Sequence, residues 1–214
     1  MRPSATLFFG VLTLMPLSAR VSQGASIVLT FSNLNPTNQN VLFVIGPYQN
    51  QGFSASSTLG FNTYGTGATG FFAGSPGLSP IAGSDVELKQ INGNPFSISS
   101  IALARNFDFD PAPTVTFTGN RAGGGTLTQA FPVTTPTGKA ALQTFDFTNF
   151  DDLTAVAWSQ PSSAARGLHQ FTDVTLSTSV SPVTVPEPRS LALLAVGLSA
   201  LAIVEWARRS RRCC

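Results

Sequence analysis

Between residues 26 and 184 the chain carries no long helical period. Its apolar residues come instead in short runs rich in β-branched and aromatic side chains, and that pattern confines it to β-sheet architectures. The runs are SIVLTF (26–31), VLFVI (41–45), VELKQI (86–91), TVTFTG (114–119), LQTFDF (142–147), LTAVAWS (153–159) and HQFTDVTL (169–176). Several alternate strictly. In TVTFT, Val115 and Phe117 share one face and the threonines the other. Phe145 with Phe147, and Val174 with Leu176, repeat the period of two expected of half-buried strands. Turn signals separate the runs: Asn92-Gly93, the Gly123–Gly125 triplet, and Pro95, Pro111, Pro113, Pro132 and Pro136. Roughly 160 residues form one domain, long enough to bury about two thirds of its unfolded surface. The expectation is an all-β sandwich.

Charge excludes one class of partner. Residues 26–184 hold five basic side chains (Lys89, Arg105, Arg121, Lys139, Arg166) against eight acidic ones, a net of −3; the basic balance of the whole chain comes from its ends. With no basic patch to track a phosphate backbone, nucleic-acid binding is not expected. Both cysteines, Cys213 and Cys214, lie at the C-terminus, so the domain has no disulfide and must be held by its core; the terminal pair reads as cytoplasmic free thiols.

From Val21 through Ser84 there is no Asp, Glu, Lys or Arg. Within Pro47 to Gly83 lie Tyr48, Phe53, Phe61, Tyr64, Phe71 and Phe72 among Gly, Ser, Thr, Asn and Gln. The segment has neither the low hydrophobicity nor the high charge of disordered chain, so it reads as an ordered, glycine-rich excursion over one face of the sandwich with its phenylalanines turned into the core. A functional alternative is that Tyr48 or Tyr64 stacks on sugar rings while Asn50, Gln51 and Asn62 bond hydroxyls. Neutral polyols are read by apolar faces and a few placed polar groups.

Catalytic constellations are missing. His169 is the single histidine, it falls in an expected strand, and no GxSxG elbow accompanies it, so it reads as structural. Carboxylates pair at Asp108 with Asp110 and at Asp151 with Asp152, as a glycosidase would require, but alternation places Asp108 and Asp110 together on a solvated strand face. The same residues, with Asp173 or with Asp85 and Glu87, are the candidate oxygen ligands for a structural calcium ion. The EF-hand spacing is absent, and zinc lacks ligands. The expectation is no enzyme, no cofactor and no metal.

The two ends read as sorting segments. Residues 1–25 resemble a secretory signal peptide: Arg2 is followed by the apolar stretch TLFFGVLTLMPL (6–17), with small residues at Ser22 and Gly24 suited to cleavage after Gly24 or Ala25. At the other end, a linker over 181–189 contains Val185, Pro186, Glu187 and Pro188. An apolar run from Leu191 to Val204 follows, then Arg208, Arg209, Arg211 and Arg212. At about 1.5 Å per residue, a helix over 190–207 falls slightly short of a hydrocarbon core of about 30 Å, a marginal span. Trp206 sits where an interfacial aromatic would, and the arginines of the 208–214 tail stay cytoplasmic by the positive-inside rule, which places residues 26–180 outside.

Pro186-Glu187-Pro188, the helix LALLAVGLSALAIV and the basic end, over residues 184–212, together resemble the PEP-CTERM sorting signal of Gram-negative envelope proteins. The resemblance implies recognition by exosortase, a membrane-embedded transpeptidase-like enzyme, after export through the Sec machinery and signal peptidase, in bacteria that make exopolysaccharide and biofilm matrix. It implies an envelope or extracellular location, at least transiently anchored in the inner membrane. A second resemblance covers NPFSISSIALARNFD, TVTFTGNRAGGGTLTQ, TFDFTNFDDLTAVAWS and HQFTDVTLS, which look like the galactose-binding-like jelly rolls that often precede such tails; a single jelly-roll-like β-sandwich is what it implies. Those domains end in a phrase like "fDNv.v", whereas FTDVTL carries Thr172 and Asp173 at the two polar positions. The expected function is a non-enzymatic surface or biofilm component, with a carbohydrate-binding module for exopolysaccharide as the alternative.

Overall fold

The computed structural model describes residues 24–178 apart from 35–39, 109 and 135–140, all within a compact unit bounded by Gln23 and Ser181. The expected signal peptide, Val185–Pro188, the apolar run and the terminal arginines lie outside the described residues. Among those described, no helix is long and apolar enough to cross a membrane.

The described chain is all-β, with only two short 3₁₀ turns. Its strands are β1 (Ser26–Leu29), β2 (Val41–Val44), β3 (Tyr48–Asn50), β4 (Phe53–Ser57), β5 (Phe61–Tyr64), β6 (Ser79–Pro80), β7 (Asp85–Gln90), β8 (Phe96–Arg105), β9 (Thr114–Arg121), β10 (Thr126–Pro132), β11 (Gln143–Asp146), β12 (Leu153–Ser159) and β13 (His169–Thr178). Every pairing is antiparallel. One layer runs β3-β4-β7-β12-β9-β10 and the other β1-β13-β8-β11, joined at a corner where Leu153 pairs with Phe96. A smaller sheet, β2-β5-β6, adjoins β13 through a bridge between Leu78 and Phe171.

The alternation legible in the sequence decides what lies between the layers. Val115 and Phe117 of β9, Val86 and Leu88 of β7, and Val156 and Trp158 of β12 meet Phe96, Ile98, Ile101, Leu103, Phe171, Val174 and Leu176 of β8 and β13 in one core. Aromatic edges seat on faces across it: Phe53 on Phe96 at 5.4 Å and Trp158 on Phe171 at 5.0 Å between ring centroids. Such pairs add about 0.5–1.5 kcal/mol each beyond the area they bury.

The central strands β8 and β13 do not keep one phase. The core takes Phe96 and Ile98 from β8 and then Ile101 and Leu103; from β13 it takes Phe171 and then Val174 and Leu176. Each strand carries one extra residue where the register shifts, β13 between Thr172 and Thr175 and β8 between Ser100 and Ile98. An inserted residue turns the following side chains to the other face, so the paired bulges return both strands to the core. Asp173 takes up the irregularity with φ 45°, and Ser100 Oγ bonds Thr175 Oγ1 across it at 2.9 Å.

The uncharged segment departs from its expected role. Much of it forms strands β2 to β6, so it builds the sandwich as well as covering it. Only residues 65–77 form a loop over β13, tied down by Gln170 Nε2 to Phe71 O at 2.8 Å and Thr172 Oγ1 to Pro76 O at 3.0 Å. Gly77 is required there, since a Cβ would lie 2.8 Å from Phe171 O. Phe53 and Phe61 enter the core as expected. Phe71 does not; it stacks on Tyr64 at 5.0 Å and lies 4.6 Å from Phe107.

Side chains close the sandwich along both flanks. Between β10 and β11, Gln129 Nε2 donates to Asp146 O at 3.1 Å while its Oε1 accepts from Thr148 N at 3.0 Å, and Gln143 Oε1 accepts from Thr134 N at 2.9 Å. On the opposite flank, Tyr48 Oη donates to Asn33 Oδ1 at 2.7 Å and Asn50 Nδ2 donates to Thr30 O at 3.4 Å, joining β3 to the chain after β1.

Candidate functional site

Alternation turns small and hydroxylated residues outward on the β4-β7-β12-β9 face. Ala157 of β12 lies at its centre, opposite Glu87 of β7 on one side and Thr118 of β9 on the other. Next along β12, Ser159 lies opposite Asp85, and its Oγ donates to Asp85 Oδ1 at 2.7 Å. Because Ala157 is shorter than its flanking neighbours, the face is hollowed there. A shallow, open groove of about 460 Å³ runs past Asp85, Thr114, Thr116, Thr118, Ala157 and Ser159. A second hollow of about 390 Å³ adjoins it across Asp85 and Ala157 and reaches Ser56, Thr58 and Glu87.

The chemistry of this trough is that of hydrogen-bonding hydroxyls and two carboxylates. Thr114, Thr116 and Thr118 repeat every second residue, so their hydroxyls stand about 7 Å apart along β9. Each can donate and accept. Thr58 Oγ1 accepts from Asp85 N at 3.0 Å, and Glu87 is ion-paired with Lys89 at 2.6 Å on the surface, where such a pair contributes little stability. Trp158 borders the groove but its ring is buried, packed on Phe117 and Phe171. The arrangement suits an uncharged polyhydroxylated ligand bound by hydrogen bonds, without an exposed aromatic platform.

The sugar-stacking alternative for Tyr48 and Tyr64 is corrected by their placement: both are core residues, 7% and 6% exposed. Tyr48 packs edge-on to Phe31 at 5.0 Å and Tyr64 stacks on Phe71, so neither ring presents a free face. Asn50, expected to bond hydroxyls, bonds Tyr48 Oη instead, at 3.2 Å. In β5, Tyr64 lies on the opposite face from Phe61 and Thr63, and its burial comes from stacking on Phe71 of the 65–77 loop.

The carboxylate pairs also fall elsewhere than expected. Asp108 and Asp110 are not on a strand face, because β8 ends at Arg105 and the chain bends and turns at Asn106–Asp108 and again bends at Asp110. Burial raises the Asp110 carboxyl above its usual range, against a Phe107 main-chain hydrogen bond and the Arg105 charge. Asp151 and Asp152 precede β12 in an exposed turn. Among the described residues no group of three or more His, Cys, Asp or Glu side chains converges.

His169 is 1% exposed in β13, and neither ring nitrogen has a hydrogen-bond partner, so it forms no dyad with an acid or a hydroxyl. Burial without a partner lowers its pKa to about 3, which keeps it neutral. The groove residues Thr114, Thr116, Thr118, Ala157 and Ser159 do not stand out in the sequence as a site. The threonine face of TVTFT was its one visible signal.

No protein-family model matches the sequence, and no curated protein matches it. Among solved structures the chain is similar to carbohydrate-binding modules of family 29. A CBM29-2 variant complexed with cellulohexaose superposes with a TM-score of 0.41 at 11% identity, covering 74% of this chain and 94% of that one. A CBM29-2 variant complexed with mannohexaose gives 0.40 at 10% identity over 73% and 93%. CBM29_1 from Piromyces equi gives 0.38 at 13% identity over 74% and 92%.

Proposed function

We propose that this protein is a non-enzymatic binding module of the bacterial envelope or extracellular matrix, and that its sandwich contacts exopolysaccharide through the groove centred on Ala157. The observation that carries the reading is the groove itself, an open trough of neutral hydroxyls and acceptor carboxylates on a rigid sheet. Hydroxyls on rigid strands match the alternating donors and acceptors of a sugar chain without large ordering costs. Delivery rests on the sequence: the apolar N-terminal stretch, and the order Pro186-Glu187-Pro188, apolar run, arginines that resembles a PEP-CTERM signal read by exosortase.

Two experiments test the two halves. Affinity electrophoresis of the protein through gels containing neutral polysaccharides measures binding, and Ala157→Trp fills the trough from an outward-facing position. Retardation by at least one neutral polymer, lost in Ala157→Trp with the thermal midpoint kept, supports the module. No retardation by any polymer, or retardation indifferent to the substitution, overturns it. For delivery, the intact mass of the protein recovered from its native envelope is decisive: a mature N-terminus near Ser26 and a C-terminus near Pro186–Pro188 are expected. A chain still beginning at Met1 argues against export.

A further inference from the structure

Strand edges present unpaired N–H and C=O groups, and folded proteins protect them with charge, proline, bulges or a cover. Both long flanks of this sandwich follow that rule: Gln129 and Gln143 bond β10 to β11, and Tyr48 and Asn50 join β3 to the chain after β1. Among the described residues, β2 shows none of these protections. It pairs with β5 in unbroken register from Val41 with Tyr64 to Val44 with Phe61, and among the described residues no strand pairs with its other edge. It contains no proline and no charge.

Apolar side chains on β2 and just beyond it are exposed. Phe43 is 65% exposed, Ile45 is 94% exposed, and nearby Leu59 is 57% exposed; Val41 adds to the same strip. Gly60 packs close enough beside it that a Cβ would lie 2.9 Å from Val44 O. A free, flat, apolar edge of this kind templates the addition of another strand.

We infer that β2 is a self-association edge, and that its occupant is β2 of a second copy of this chain, added antiparallel about a two-fold axis through Phe43. Charge selects the occupant. No Asp, Glu, Lys or Arg occurs from Val21 to Ser84, so two copies meet here with no like-charge clash and no ion to desolvate. Parity selects the register: directly opposed residues share a face, so a two-fold through Phe43 sets Phe43 against Phe43 of the second copy and Val41 against Ile45. The exposed strip of one copy then covers that of the other, and the isologous contact closes as a dimer.

The test uses the full chain in detergent with Cys213→Ser and Cys214→Ser, so that a single introduced cysteine reports. Under mild oxidation, Phe43→Cys yields a disulfide-linked dimer at protein concentrations where Ser159→Cys, an exposed position on another face, stays monomeric. Adding Ile45→Lys cuts the Phe43→Cys dimer yield at least tenfold; Ile45 is almost wholly solvent-exposed, so the fold, checked by circular dichroism, is kept. Equal crosslinking at Phe43 and Ser159, a yield indifferent to Ile45→Lys, or no dimer at any concentration overturns the inference. Dimerisation through this edge is independent of whether the Ala157 groove binds polysaccharide.

Discussion

The side chain of Gln160 serves the main chain of His169 as a neighbouring strand would. Its Nε2 donates to His169 O at 2.9 Å, and its Oε1 accepts from His169 N at 3.1 Å. The same Nε2 reaches Pro80 O at 3.0 Å, so one buried amide satisfies three main-chain groups at the end of the core. A buried polar group left without a partner costs about 1–3 kcal/mol. Gln160→Leu keeps the volume and removes every one of these bonds. It is expected to lower stability by about 3 kcal/mol, read as a lower urea midpoint at unchanged m-value. A midpoint within experimental error of the parent would mean that water replaces the amide.

His169 itself makes stability depend on pH. In the unfolded chain its imidazole takes up a proton near pH 6.5; folded, burial holds it neutral until about pH 3. Its contribution is therefore complete above about pH 7 and is lost progressively as pH falls from 6.5 toward 3. At about 1.36 kcal/mol per pH unit, roughly 2 kcal/mol has gone by pH 5. His169→Leu has nothing to protonate, so its thermal midpoint should fall less than that of the parent between pH 7 and pH 5. Parallel curves for the two proteins would place the acid sensitivity in other groups.

Phe171 is the aromatic centre of the core, with Trp158, Phe31 and Phe61 all set edge-on to it at 5.0, 5.6 and 6.1 Å. Truncating a buried phenylalanine costs about 3–5 kcal/mol, depending on how well the site collapses. Three rigid rings around the gap collapse poorly, so Phe171→Ala is expected near the upper end of that range and Phe171→Leu at under half of it. Chemical denaturation of the pair measures both. A Leu variant as unstable as the Ala variant would show that ring geometry matters more than volume.

How far the sequence discloses this fold depends on phase. β7, β9 and β11 keep one alternation from end to end, and their apolar sets are visible directly in VELKQI, TVTFTG and LQTFDF, whereas β12 changes phase at the irregularity after Leu153 and then sends Val156 and Trp158 to the core. β8 is hidden because FSISSIALAR changes phase at its bulge: Phe96 and Ile98 obey one parity, Ile101 and Leu103 the other. β4 and β5, FSASS and FNTY, are too polar and too short to stand out, and their strand character comes from pairing with β7 and β2. The groove was hidden for a related reason. Its floor is Ala157 and its walls come from three other strands, so only the pairing of distant segments brings Asp85, Thr116 and Ser159 together. Tyr48 and Tyr64 stand out in the sequence as aromatics amid polar residues, a composition that equally fits short strands whose rings are buried.

The bulge at Asp173 permits a test in which two physical arguments predict opposite signs. Judged by strand propensity, Val is favoured and Gly disfavoured within β13, by up to about 1 kcal/mol. Judged by backbone geometry, Asp173 holds φ 45°, a left-handed conformation that glycine adopts freely and that is a genuine outlier for a β-branched residue. The side chain makes only a long contact, with Thr172 Oγ1 at 3.4 Å from Oδ1, so little else changes with it. Geometry should win, because the register of β13 on β8 depends on that extra residue and cannot slip without turning Phe171 or Val174 out of the core. Asp173→Val is expected to destabilise by about 1–3 kcal/mol, the usual cost of forcing a residue into a sparsely populated backbone region. Asp173→Gly should be neutral or stabilising by up to about 1 kcal/mol. Thermal midpoints of the two variants, measured side by side, decide it: a Val variant more stable than the Gly variant would mean that the bulge relaxes into regular strand.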